Sequence, residues 1–397
     1  MTHENKLGLF IHWGVYALME YHEQCFAKLD VPREEYESLY KRFNPVNYDP
    51  EKWVLLAKNA GMKYICFTAK HHDGFCMWDT KYTDYNIMNT PYGKDVLKML
   101  SDACRKHGML LSIYYSNPDW HHPTANNPLS SHQWKSYDPT SSDTTEYREY
   151  IKKQITELLT NYGEIYTLFW DIPPHIDDPS INELVRRLQP KIFINDRGFS
   201  EGDFSTPERH FSDYPGNRFD RMTEMCNSVG KYCWGYRKNE DFHTTRYLTG
   251  SIDRIMAMGG SYLLNVGPDA NGVIGGLYED RIKRVGDWYN RMQGALECHG
   301  ADALDLEISG SPALVTTKNG KSYIHFYDGL MSCGISIKNY PGCPKTVKIL
   351  NTGATLSWVI EKVPASNSVV TSEESLHILN IPADEIANEA IVIEIEW

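Results

Sequence analysis

Residues 94–120 read KDVLKMLSDACRKHGMLLSIYYSNPDW, and this one stretch contains the repeating unit of the fold. Lys94–His107 has the patterning of an amphipathic helix, and Gly108 closes it. Met109–Ser116 is then a short apolar run of strand length that leads to the polar strand end Asp119-Trp120. Helix, glycine, buried strand and polar strand end recur on both sides. Upstream, Leu7–Trp13 and Lys63–Ala69 are strand-like and bracket a helix over Pro50–Ala60, which follows the cap Asp49. Downstream come strands at Ile165–Asp171, Lys191–Asp196 and Ser261–Val266. Between them lie helices at Thr144–Tyr162, Ile181–Leu188, Gly250–Met258 and Tyr278–Met292.

Such alternation predicts a parallel sheet covered by helices. The length, and the lack of a G-x-G-x-x-G run after the first strand, favour a closed (β/α)8-like barrel of the TIM type over an open dinucleotide-binding sheet. From about Cys298 the pattern changes to short β-rich runs (SYIHFY, GISIKN, TVKILN, TLSWVI, LHILNI, AIVIEIEW) separated by turn residues. That predicts a catalytic barrel over residues 1–297 and a C-terminal antiparallel β-sandwich over 298–397.

A formal charge of −12 argues against nucleic acid and anionic membranes as partners, since both would be repelled. Nine cysteines without a CxxC spacing read as buried free thiols, neither a disulfide framework nor a zinc site. The N-terminal MTHENKLGLF has no apolar signal region, and no run reaches the ~18 apolar residues of a membrane span, so a cytoplasmic chain is expected.

In a barrel of this kind the chemistry sits at the C-terminal ends of the strands. Read in order, those ends carry His12-Trp13-Gly14, Lys70-His71-His72-Asp73, Tyr114 and Tyr115, Phe169-Trp170-Asp171, and Asn195-Asp196-Arg197. A loop with Thr206-Pro207-Glu208-Arg209 and then Trp234-Gly235-Tyr236 follows. Taken singly, Asp171 is equally well a cap and His71-His72 a core pair. Together they are the inventory of a sugar site, in which His, Asn and Arg bond hydroxyls, aromatic rings pack on apolar sugar faces, and two carboxyls flank the scissile bond. A metal-dependent hydrolase on His71, His72 and Asp73, or on His121 and His122, is an alternative that lacks the spacing of an HExxH site.

The runs GLFIHWGVYAL (8–18), F-N-P-x-x-Y-D-P-x-x-W (43–53), AKHHDGFCMWDTKYTDYN (69–86), NDRG (195–198), STPER (205–209), CWGYR (233–237) and GGSYLLNVGPDANGVI (259–274) resemble the α-L-fucosidase family of retaining glycoside hydrolases, glycoside hydrolase family 29. The resemblance implies an exo-acting hydrolase that takes terminal α-L-fucose from fucosylated oligosaccharides or glycoconjugates, without metal or organic cofactor. Asp171 then corresponds to the nucleophile. His12, Glu23, His71, His72, Tyr114, Phe169, Arg197 and Trp234 correspond to residues of the fucose pocket. The acid/base comes from a variable loop in this family; Glu208 is the first choice and Glu224 the alternative. Two departures stand out. Gln24 occupies the place of a family Trp, and Phe169-Trp170-Asp171-Ile172-Pro173-Pro174 replaces W-x-D-G, with Ile172 where members carry Gly. The second departure keeps open a different class of function, a catalytically degenerate fucose- or glycan-binding protein.

Overall fold

The computed structural model describes residues 6–125, 144–174, 177–209, 218–297, 304–366, 369–370 and 373–397. Seven parallel strands build the first part: β1 (Leu7–Ile11), β2 (Tyr64–Lys70), β3 (Leu110–Ser116), β4 (Ile165–Asp171), β5 (Phe193–Ile194), β6 (Glu224–Ser228) and β7 (Ser261–Val266). Their spatial order is β5-β4-β3-β2-β1-β7-β6. The two ends of this sheet meet through residues 204–208. Phe204 bridges to Asn195 beyond β5, while Ser205 and Glu208 bridge to Thr223 and Cys226 at β6, all in parallel. An irregular segment thus takes the eighth strand position of a (β/α)8-like barrel.

Every residue of β1, β2 and β7 is buried, as a strand covered on both faces requires. Two short helices, α1 (Cys25–Lys28) and α2 (Arg33–Glu37), lie in the loop after β1. The covering helices are α3 (Pro50–Asn59), α4 (Val96–His107), α5 (Thr145–Asn161), α6 (Pro179–Leu188), α7 (Thr245–Ala257) and α8 (Gly276–Leu296). Asp49 caps α3 by accepting from the amides of Glu51 and Lys52, with Pro50 in the first turn. Gly108 ends α4 in the left-handed conformation, φ 67°.

The strand expected over Lys191–Asp196 is confined to Phe193–Ile194, and two further elements differ from expectation. Helix α7 begins after its cap Thr244, so Gly250 lies inside it instead of opening it. The glycine is there for contact: a Cβ would stand 2.3 Å from the Tyr327 carbonyl oxygen of the C-terminal part. Strand β6, Glu-Met-Cys-Asn-Ser, has no apolar run to announce it, yet all five residues are buried.

The C-terminal strands are β8 (Glu307–Ile308), β9 (Leu314–Lys318), β10 (Lys321–Phe326), β11 (Ile335–Lys338), β12 (Thr346–Ile349), β13 (Ser357–Glu361), β14 (Pro364–Ser366), β15 (Val369–Val370), β16 (Ser375–Leu379) and β17 (Ile391–Glu396). Two four-stranded antiparallel sheets, β12-β17-β10-β9 and β13-β16-β11-β8, share one apolar core; Ile324, Ile349 and Ile393 from the first meet Ile337 and Ile378 from the second. The sandwich grips α7 through a fully buried polar group. His325 Nδ1 lies 2.7 Å from Asp253 Oδ1, and its Nε2 lies 2.9 Å from Thr316 Oγ1.

Residues 298–303, where the sequence places the boundary between the two parts, lie outside the described residues. Of the cysteines described, six are buried free thiols, but Cys333 and Cys343 are exposed, because they fall in sandwich loops and not in strands. No helix among the described residues is long and apolar enough to cross a membrane.

Candidate active site

The C-terminal strand ends converge on a cavity of about 110 Å³ lined by Phe10, His12, Gln24, His71, His72, Tyr114, Phe169, Asp171, Ile172, Glu208 and Trp234. At its floor lies Asp171, the last residue of β4. Tyr114 Oη donates to Asp171 Oδ2 at 2.6 Å, and Oδ1 accepts from Arg197 at 2.9 Å and from the Ile172 amide at 3.0 Å. His72 Nε2 stands 3.7 Å from Oδ2. Burial alone would raise the pKa of this carboxyl. The Arg197 charge, His72 and the Tyr114 hydroxyl outweigh it and hold Asp171 below the usual carboxylate range. It is an ionised, oriented carboxylate.

Arg197, just beyond β5, contacts both carboxylates through one nitrogen. Its Nη1 donates to Asp171 and to Glu208 Oε1, while Nη2 donates to the Thr206 carbonyl. Glu208 is carried by the segment that closes the barrel. Its neighbours in the chain are fastened to β6 by Cys226 N–H to Pro207 O at 3.1 Å and Arg209 N–H to Cys226 O at 3.0 Å. Two carboxyl oxygens that share one donor atom are separated by no more than two hydrogen-bond lengths. That suits the ~5–5.5 Å spacing of a nucleophile and an acid/base in retaining glycosidases.

Three histidines line the same cavity, His72 beside Asp171. His12 Nδ1 lies 2.7 Å from Asn265 Oδ1, and Asn265 Nδ2 donates to the Trp234 carbonyl at 2.7 Å and to Ser228 Oγ at 3.0 Å. Two acceptors on Nδ2 fix the amide orientation, so His12 Nδ1 carries the proton. Burial lowers the His12 pKa to about 4, against the pull of Glu23 and Asn265. The ring is therefore neutral near pH 7 and keeps Nε2 as an acceptor. His72 Nδ1 lies 2.7 Å from Ser116 Oγ, whose own proton goes to the Pro118 carbonyl. His71 stacks on Tyr114 at 5.7 Å. Phe10, Phe169 and Trp234 supply the apolar walls, with Trp234 stacked on His12 at 5.3 Å and Arg209 over its ring at 4.4 Å.

Two expected residues stand elsewhere. Glu23 does not line the cavity. Its Oε2 accepts from the amides of Trp234 and Gly235 at 3.0 and 3.1 Å, so it shapes the turn that presents Trp234 while its neighbour Gln24 faces the cavity. Glu224 is the first residue of β6 and bonds Tyr64, the first residue of β2, at the opposite end of the barrel. Burial raises its pKa to about 7. A carboxyl at that end cannot reach this cavity, so the alternative acid/base is removed by position.

Asp73 accepts from Tyr36 Oη at 2.8 Å and from the Phe75 amide at 3.1 Å. Among the described residues the cluster whose possible ligand atoms converge is His22, Glu23 and Cys233, not the His71-His72-Asp73 run.

Phe10, Asn265 and Asn117 were not singled out in the sequence. A lone Asn inside the apolar strand SYLLNV is the signal that marks Asn265; Phe10 is hidden in a run where every residue is apolar or Gly.

A family model described as alpha-L-fucosidase matches residues 2–293. The plasma alpha-L-fucosidase of Pongo abelii is 26% identical over 389 residues, covering 89% of this chain and 82% of its own length. Among solved structures, alpha-L-fucosidase isoenzyme 1 from Paenibacillus thiaminolyticus superposes with a TM-score of 0.84 at 31% identity, covering 99% of this chain and 97% of that one. An alpha-L-fucosidase from Lactobacillus casei in complex with alpha-L-fucose product gives 0.68 at 30% identity, covering 74% of this chain and 98% of the other.

Proposed function

The chain belongs to the α-L-fucosidase family of glycoside hydrolases, and on that footing we propose that it releases terminal α-L-fucose from fucosylated glycans with retention of configuration. Asp171 attacks C1 of the fucoside as Glu208 delivers a proton to the departing oxygen. The resulting β-fucosyl-enzyme is opened by a water whose proton returns to Glu208. One observation carries this reading: Asp171 and Glu208 rest on the same nitrogen of Arg197.

The rest of the pocket fits the same ligand. His12 offers an acceptor to a hydroxyl, and His71 and His72 line the same side. The sugar's methyl group and C–H face would pack against Phe10, Phe169 and Trp234. Ile172 departs from the family's glycine, yet it holds the left-handed backbone a glycine would adopt freely, φ 58°, and keeps Asp171 in register. That favours hydrolysis over a binding-only role.

The decisive experiment is Asp171→Ala assayed on an aryl α-L-fucoside. Turnover should fall by orders of magnitude with the fold intact, and azide should then yield β-fucosyl azide. A fully active variant would overturn the assignment.

A further inference from the structure

Asn117 follows β3 directly, and its donors go to three carbonyl oxygens on two other strand ends. Its amide N–H donates to Asp171 O at 3.0 Å. Its side-chain Nδ2 donates to Ile172 O at 2.7 Å and to Arg197 O at 3.1 Å. Its own carbonyl accepts from Tyr147 Oη, and the residue is buried. The two side-chain acceptors set the amide orientation, since a flipped amide would press Oδ1 against two carbonyl oxygens.

What Asn117 holds is strained. Ile172, with φ 58°, is the one β-branched residue at positive φ among the described residues. β-Branched side chains avoid this region, and the proline at 173 narrows the choices further. Such a conformation persists only where its surroundings over-determine it. The turn lies against the reacting carboxylate, since the Ile172 amide donates to Asp171 Oδ1 at 3.0 Å.

We propose that Asn117 is a positioning residue for the reaction. By gripping the carbonyls of Ile172 and Arg197 it locks the left-handed turn whose amide donates to the nucleophile, and it ties down the arginine that pairs with both carboxylates. The proposal rests on the reading of Asp171 as nucleophile. It also makes the need for Asn117 depend on the side chain at 172, because a glycine there takes the same backbone without steric cost.

A double-mutant cycle tests that dependence. Asn117→Ala, Ile172→Gly and the double variant are compared with the unmodified chain by kcat and KM on an aryl α-L-fucoside and by thermal unfolding. Asn117→Ala should lower kcat on the order of a hundredfold when Ile172 is present, with KM within a few-fold. In the Ile172→Gly background the same replacement should lower kcat by less than about tenfold, and its effect on Tm should shrink in parallel. Equal penalties in both backgrounds, or a loss confined to KM, would overturn the proposal.

If Asn117→Ala alone does not fold, the double variant should; its failure to fold also overturns the clamp. Absence of turnover in the unmodified chain would sink the fucosidase reading, not the clamp. The Tm cycle then decides by itself, a smaller loss in the Ile172→Gly background supporting the clamp and an equal one refuting it.

Discussion

Asp171 and Glu208 share a single nitrogen of Arg197, so a change at either carboxylate is felt by the other. Replacing Glu208 by Gln keeps the side-chain shape and removes the proton donor. The kcat for substrates with poor leaving groups should fall by about 10²–10⁴-fold. Activated aryl fucosides should suffer less in the first step, and azide should restore turnover with α-fucosyl azide as product. Unchanged kcat on an unactivated disaccharide would place the acid elsewhere.

The pairing of His12 with Asn265 makes a prediction about pH. With its pKa lowered to about 4, His12 stays neutral through the working range. Asn265→Asp would set a carboxylate against Nδ1 and favour the imidazolium, raising that pKa by roughly 1–3 units. Nε2 would then carry a proton and lose its acceptor role below the new value. In kcat/KM profiles the acid limb should move upward, chiefly through KM. A profile superimposable on the parent's would show that His12 does not accept from the sugar.

At the other end of the barrel, Glu224 gives a stability signature. Its pKa rises from the ordinary 4.5 to about 7 in the folded state, because burial disfavours the charge. The folded protein therefore binds the extra proton, and stability falls as pH climbs from about 4.5 to about 7. Glu224→Gln abolishes that slope. Its advantage over the parent should grow across this window to roughly 2–4 kcal/mol, measured by denaturant unfolding at several pH values. Parallel stability curves would refute the burial account.

At the last residue of β2, Lys70 forms an ion pair with Asp119 at 2.9 Å with almost no exposure. The ammonium also lies 4.3 Å from the centre of the Tyr115 ring. Burial acts to raise the Asp119 pKa, but Lys70 and nearby amides bring it below the ordinary value. The pair thus contributes stability above the ordinary carboxylate pKa and loses it as pH falls through the lowered one. Lys70→Met leaves Asp119 buried without its counter-charge and should cost about 3–5 kcal/mol. Calorimetry should show the fall in Tm, and a change within error would mean that the pair is energetically idle.

Strands that are apolar throughout were readable from the chain, and so were their polar ends. Lys63–Ala69 and Ile165–Asp171 fall within a residue of the observed strands because burial on both faces leaves no alternation to misread. Strand β6 was not readable. Its buried polar residues draw their satisfaction from partners far along the chain, such as Glu224 from Tyr64, and no local pattern reports that. Without a strand there, Glu224 had no assigned end of the barrel and stayed beside Glu208 as a candidate proton donor. Glu23 shows the same limit at closer range. Whether its carboxylate or the Gln24 amide faces the cavity depends on a turn remote in sequence, at Trp234 and Gly235.

The two carboxylates are mounted on parts with different tolerance for change. Asp171 grows from a strand paired to β3 on one side and β5 on the other. Glu208 stands on the short run that joins the ends of the sheet by isolated bridges alone. Lengthening or reshaping the chain between Gly198 and Thr223 would therefore shift Glu208 and the Thr206 carbonyl that Arg197 holds, while the strand pairing beneath Asp171 stays in place. The barrel has one unfinished stave, and it is there that this catalyst is open to retailoring for new aglycones.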